Sequence, residues 1–233
     1  MRDVLAIVWS PRRIEEALVS HEELGFKTAF ICGTSEIDGH RMAWELAHEH
    51  PAHVYLLSYD DQIVTRNQAE RILTLQAQTG DVVSAWQLLG MDLPYASAVK
   101  PAWGTEKMLQ TGGSECFYTA EEVRAWPEPL VPTIYFPYAL TALPRYAMLE
   151  TPLRVLSQVV SGEGKWRSRD GKPYDKGMCG DWCHATDLVK AGWSLWTARD
   201  VQVMHLAPFH GFSSYPFYTH VDEPGVYWDR RPR

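Results

Sequence analysis

The apolar positions of the first ninety residues fall into short blocks separated by amphipathic stretches. Asp3 to Trp9 is β-rich, and Arg13 to Leu24 spaces Ile14, Ala17 and Leu18 along one helical face that Gly25 stops. Phe26 to Cys32 reads as a second strand ending at Gly33. His40 to His50 sets Met42, Leu46 and Ala47 at helical spacing, and Pro51 closes that helix before the apolar run Val54 to Leu57. The third strand therefore ends at Tyr59, Asp60 and Asp61. Thr65 or Asn67 can cap a helix through Gln76, Gly80 ends it, and Val82 to Leu89 reads as a fourth strand. This alternation predicts right-handed crossovers and a mostly parallel central sheet flanked by helices, with ligands bound beyond the carboxyl ends of its strands. Three strand ends become candidate sites: Trp9 to Arg12, Cys32 to Asp38, and Tyr59 to Gln62.

From Asp92 to Pro137 the rhythm is lost to Pro94, Pro101, Gly112, Gly113, Pro127, Pro129 and Pro132. This irregular excursion, rich in proline and aromatic residues, either wraps the sheet or faces an acceptor. Tyr135 to Ala142 restores order as a strand, and a helix starts at about Pro144 or Thr151 and runs to Val160. Ser161 to Gly180 is Gly-rich and basic and reads as a mobile loop. Trp182 to Lys190 then reads as a helix stopped by Gly192, Trp193 to Thr197 and Val201 to Leu206 as short strands, and the residues after Pro208 as an aperiodic aromatic tail.

With 45% apolar and 22% charged residues among 233, the chain can bury a core and is neither disordered nor fibrous. The net charge of −7 gives no general attraction for a phosphate backbone, so a nucleic-acid partner would need a local basic patch. No apolar run approaches the ~18 residues of a membrane span. The run Val4 to Trp9 is too short for a signal-peptide core, and a cytoplasmic protein is expected. Four cysteines are too few for a disulfide framework. Cys179, Cys183 and His184 lack the spacing and the second cluster of a zinc site, which leaves buried thiols as the expectation.

Three features carry chemistry. The pair Asp60 and Asp61 follows an apolar strand, where carboxylates can hold Mg²⁺ or Mn²⁺; a polar turn is the plainer account. Asp181 stands immediately before an amphipathic helix, a place for a cap or for a general base that stays ionised near neutral pH. His205 ends the run Val201 to Met204, as a satisfied core histidine or as a neutral nitrogen ligand suited to Mn²⁺.

The order of these features resembles a glycosyltransferase of the GT-A fold, nearest to inverting family-two-like enzymes, over about Asp3 to His205. The most specific piece is the succession Tyr174-Asp175, Asp181-Trp182 and Ala191-Gly192-Trp193. The resemblance implies one Rossmann-like domain over residues 1–233, with residues 1–91 binding the nucleotide sugar and 92–233 forming the acceptor half and a C-terminal lid. It implies a divalent cation at Asp61 with His205 as the late ligand, Asp181 as the base, and Trp9, Ser10, Arg12, Asp38 and Asp60 around the donor. Lys165, Trp166, Trp182 and His210 fall to the acceptor and lid, with Arg167 and Arg169 near enough to help grip a phosphate.

The sequence departs from the family pattern in three places. Gln62 stands where an acid-any-acid triplet starting at Asp60 would end, Cys32-Gly33-Thr34-Ser35-Glu36 replaces the usual acidic pair after the second strand, and Gly180 replaces the acid before Asp181. The implied reaction is transfer of a sugar from a nucleoside diphosphate to an acceptor hydroxyl with inversion, since no second nucleophilic carboxylate is evident. A glycan or small molecule is favoured as acceptor. A hydroxylated DNA base would need a basic face such as Arg124, Lys165, Arg167, Arg169 and Arg230-Arg231-Arg233. Two alternatives stay open: a sugar-1-phosphate nucleotidyltransferase, although Trp9-Ser10-Pro11-Arg12-Arg13 has no glycine, and a non-catalytic nucleotide- or carbohydrate-binding module.

Overall fold

A computed structural model describes residues 3–10, 14–32, 36–89, 94–103, 116–153, 156–157, 177–178, 180–206 and 225–229. In chain order its strands are β1 (Val4–Ser10), β2 (Lys27–Cys32), β3 (Val54–Tyr59), β4 (Gln62–Ile63), β5 (Val82–Trp86), β6 (Tyr95–Val99) and β7 (Phe117–Thr119). They continue with β8 (Leu130–Thr133), β9 (Ala139–Pro144), β10 (Leu156–Ser157), β11 (Gly177–Met178), β12 (Leu195–Gln202), β13 (Met204–His205) and β14 (Gly225–Asp229). The helices are α1 (Glu15–Glu22), α2 (Glu36–Glu49), α3 (Arg66–Thr79), α4 (Ala120–Ala125), α5 (Arg145–Glu150) and α6 (Gly180–Lys190).

Local signals in the sequence set these boundaries. Thr65 closes a capping box with Gln68 at the start of α3, satisfying N–H groups that would otherwise lack partners. Gly80 ends the helix at φ 76°, a left-handed conformation that costs glycine nothing.

The main sheet has eight strands in the order β14-β2-β1-β3-β9-β5-β12-β8. β1, β2, β3, β5 and β12 run one way, and β8, β9 and β14 run against them. Period-two alternation divides β1 between two cores. Leu5, Ile7 and Trp9 pack with Ala43, Leu46 and Ala47 of α2, Ala147 and Met148 of α5, and Ala185 and Leu188 of α6. Ala6 packs with Ala69, Ile72 and Leu75 of α3. This is the mostly parallel, helix-flanked, Rossmann-like GT-A architecture expected from the sequence.

Several elements differ from the sequence reading. The stretch expected to be irregular contains the β6–β7 pair, α4 and β8, gathered on a small core of Trp86, Ala96, Ala98, Tyr118, Val123 and Val131. Each of these pieces is at most six residues long, too short to show a period. β12 is one strand of eight residues where two were expected, and its pairing with β5 shifts register between Thr197 and Gln202, which breaks the alternation. β9 starts at Ala139 rather than Tyr135, and Leu140 adopts φ 63° where the pairing with β3 jumps between Leu57 and Ser58. That bulge bends the chain at the carboxyl end of β3. Among the described residues, no helix is long and apolar enough to cross a membrane.

Candidate functional site

The strand order β2-β1-β3 places successive strands on opposite sides of β1, so the chain changes direction between β1 and β3. A crevice opens at such a point beyond the carboxyl ends, and ligands of open α/β sheets bind there. The strand ends are level: Trp9 pairs with Ile31 and with Tyr59, and Ser10 with Cys32.

The acidic pair sits on this crevice. The Asp60 backbone N–H donates to the Trp9 carbonyl at 2.9 Å, and Ser10 Oγ donates to Asp60 Oδ2 at 3.2 Å. Both side chains are fully buried, so Ser10 is a support for Asp60. Asp61 is 8% exposed, and its Oδ2 meets His205 Nε2 at 3.0 Å although 144 residues separate the two. The approach is built by the backbone: β13 pairs antiparallel with β4, setting His205 opposite Gln62, and the Leu206 N–H donates to the Asp61 carbonyl at 2.6 Å. A hard carboxylate oxygen beside an imidazole nitrogen is a donor pair that suits Mn²⁺, and Mg²⁺ sites likewise take one or two carboxylates with phosphate and water completing the shell. Among the described residues no three His, Cys, Asp or Glu side chains cluster as a metal cage.

Gln62 turns inward from this site. Its side-chain amide lies 2.8 Å from Ser58 Oγ and 3.2 Å from the Gln87 amide, and Ser58 Oγ lies 2.8 Å from His21 Nε2. His21 Nδ1 meets the Ala17 carbonyl at 2.7 Å. Burial pushes His21 down to about 4 against the opposing pull of that carbonyl and of the Asp61 charge. At neutral pH the ring is therefore uncharged, with Nδ1–H donating to the Ala17 carbonyl. The third place of the Asp60-Asp61-Gln62 run is consumed by a neutral polar chain under the acids, and a carboxylate there would bury a charge.

Asp181 occupies the first turn of α6 and is 8% exposed. Its Oδ1 accepts the Trp182 backbone N–H at 2.8 Å and its Oδ2 accepts the Tyr135 hydroxyl at 2.7 Å. The half-buried Trp182 ring stacks on Tyr135 with centroids 3.7 Å apart and planes 15° off parallel, and Phe117 stands edge-on to both. One turn along, His184 Nδ1 lies 3.0 Å from the Tyr138 hydroxyl. Burial, with His40 adding repulsion, pushes His184 down to about 3.

The remaining donor positions divide. Trp9 points into the core, stacked between His40 at 4.8 Å and Tyr138 at 4.6 Å, and its 2% exposure leaves no face for a nucleobase. The expectation of a donor-facing Trp9 is corrected accordingly: strand alternation sends residue 9 to the same face as Leu5 and Ile7. Asp38 lies exposed on α2 and pairs with Arg41 at 3.5 Å. Arg12, Lys165, Trp166 and His210 lie outside the described residues, as do Arg167, Arg169 and Cys179. The sequence reading missed His21, Ser58, Tyr135 and Tyr138, and weighed His184 only as part of a zinc site. No local pattern marks them, because each acts through a partner at least 37 residues away.

No protein-family model and no curated protein matches the sequence. Among solved structures, the chain is similar to the crystal structure of A197 from STIV, with a TM-score of 0.52 and 9% identity over 89% of this chain and 87% of that one. It also aligns with the mannosyltransferase PcManGT from Pyrobaculum calidifontis in complex with GDP-Man and Mn²⁺, at TM-score 0.46 and 13% identity, over 91% of this chain and 59% of that one. A third alignment is with CMP:2-keto-3-deoxy-manno-octonic acid synthetase complexed with CTP, at TM-score 0.38 and 14% identity over 84% and 89%. At these identities the likeness to A197 speaks to fold alone, and it agrees with the sheet: the chain has a GT-A-like fold.

Proposed function

We propose that the chain is an inverting glycosyltransferase that moves a sugar from a nucleoside-diphosphate donor to an acceptor hydroxyl. The observation that carries this reading is the meeting of Asp61 and His205 at 3.0 Å beside the β1–β3 crevice. Asp61 and His205 would hold Mn²⁺ or Mg²⁺, which when bound offsets the charge of the departing diphosphate. Ser10 and Asp60, both fully buried and hydrogen-bonded to each other, would brace the donor crevice from beneath. Asp181 accepts the proton of the acceptor hydroxyl as that oxygen attacks the anomeric carbon; the bond to the diphosphate breaks, and a nucleoside diphosphate leaves. The residues 1–91 contribute the donor side and the later residues the acceptor side, within one domain. A glycan or small molecule fits the net charge of −7 better than a nucleic acid does.

Calorimetric titration with UDP, GDP and CMP, each with and without Mn²⁺, tests the reading on wild type, Asp61→Ala and His205→Ala. The expected result is metal-dependent binding of one nucleotide, weakened at least about tenfold in either variant. Failure of all three nucleotides to bind the wild type, with and without metal, refutes it. Consumption of a nucleoside triphosphate with a sugar 1-phosphate would select the nucleotidyltransferase alternative.

A further inference from the structure

The segment between β8 and β9 reaches α6 at two points with the same spacing. Tyr135 and Tyr138 are three residues apart, as are Asp181 and His184, and the first of each pair bonds the first while the second bonds the second. Residues i and i+3 share a helix face, so both bonds fall on the side of α6 turned to this segment. The segment is itself pinned from below. The Tyr135 N–H donates to Thr133 Oγ1 at 3.2 Å, and the Pro137 carbonyl accepts from Thr141 Oγ1 at 2.9 Å and Ser84 Oγ at 3.3 Å. The Tyr135 ring is further held by its stack on Trp182, with Phe117 edge-on beside both rings.

We propose that Tyr135 is a positioning residue for Asp181, holding its carboxylate ionised and fixing the plane in which it takes a proton. This rests on the reading of Asp181 as the base. The 2.7 Å contact is within the range of a hydroxyl donating to an anion, and both groups are buried, Tyr135 at 6% exposure. Hydrogen bonding to the charged form favours that form, so the phenol offsets the penalty that burial places on the carboxylate. With Oδ1 on the Trp182 N–H and Oδ2 on Tyr135, the carboxylate has a donor on each oxygen and does not rotate freely. Among the described residues, the Tyr135 hydroxyl donates to Asp181, while His184 on the same helix face is engaged by Tyr138.

The test compares wild type with Tyr135→Phe, which keeps the ring and its stack on Trp182. Asp181 is followed through its ¹³C-labelled carboxyl carbon, assigned by its disappearance in Asp181→Asn. Tyr135→Phe is expected to raise the Asp181 midpoint by about one pH unit, while Tyr138→Phe, which breaks a bond to the same helix without touching the carboxylate, leaves it in place. With the donor identified by calorimetry, Tyr135→Phe is expected to lower kcat about tenfold with donor KM unchanged, and to move the acid limb of the pH-rate profile up by the same unit. An unmoved midpoint in Tyr135→Phe, or a raised midpoint with an unmoved acid limb, overturns the proposal. Absence of transfer by the wild type counts against the glycosyltransferase reading alone, and the carboxyl titration still decides on Tyr135.

Discussion

Two buried neutral histidines tie the stability of this protein to pH over a defined window. His21 is held near 4 and His184 near 3, chiefly by burial, against an ordinary value of 6.5. In the unfolded chain both rings take up a proton as pH falls through 6.5, whereas in the folded chain neither does until pH 4 or below. Between about pH 6 and 4 the unfolded state therefore binds up to two more protons, and the folded state loses stability as pH falls. Each ring contributes about 1.4 kcal/mol per pH unit across its window, so together they take about 2 to 3 kcal/mol between pH 6 and 5. That is a large share of the roughly 5–15 kcal/mol that separates most folded domains from their unfolded chains. Urea unfolding at pH 7.5, 6 and 5 measures it directly, and His21→Gln or His184→Gln is expected to lower stability at pH 7.5 yet halve the slope below pH 6. Equal stability at pH 6 and 5, or slopes that neither substitution changes, would refute the reasoning.

Gln62→Glu places a carboxylate in the chain between Ser58 and Gln87 at a position 1% exposed. The cost at neutral pH is about 3 kcal/mol, a fall in Tm of roughly 6–12 °C for a chain of this size, and a Tm within 2 °C of wild type would dismiss the inward reading of Gln62. Thr65→Ala removes the side-chain half of the capping box of α3, leaving the backbone N–H of residue 65 on Gln68, and is expected to cost about 1 kcal/mol in urea unfolding, whereas Thr65→Ser, which keeps the acceptor oxygen, is expected to lose less than half of that.

Much of the frame was legible because its signals are local. Thr65, Gly25 and Gly80 announce their boundaries within a few residues, and the apolar runs of β1, β2 and β3 stand out against amphipathic neighbours. The contact of Asp61 with His205 is not legible in spacing, which says nothing about residues 144 apart. Trp9 was misread because an aromatic at a strand end looks the same from the sequence whether it faces a ligand or the core; the pleat decides, and here it chose His40 and Tyr138. Gln62 looked like a defect in an acidic triplet. Its inward bonds to Ser58 and Gln87 show a different task, which becomes visible only when α1 and β5 are folded against the turn. Tyr135 was passed over because it lies in an aperiodic, proline-flanked stretch whose partner is on a distant helix.

The insertion of β9 also sets an order of assembly. β3 and β5 share no ladder, since β9 lies between them and pairs with both. A nascent chain that has not yet emerged to Pro144 can zip β2, β1 and β3 together, but β5 has nothing to join them through. The open edge of β3 is then a row of unpaired backbone groups that stays exposed until the ribosome delivers residues 139–144. Synthesis speed through the proline-rich stretch before β9 thus governs how long that edge is available to other chains.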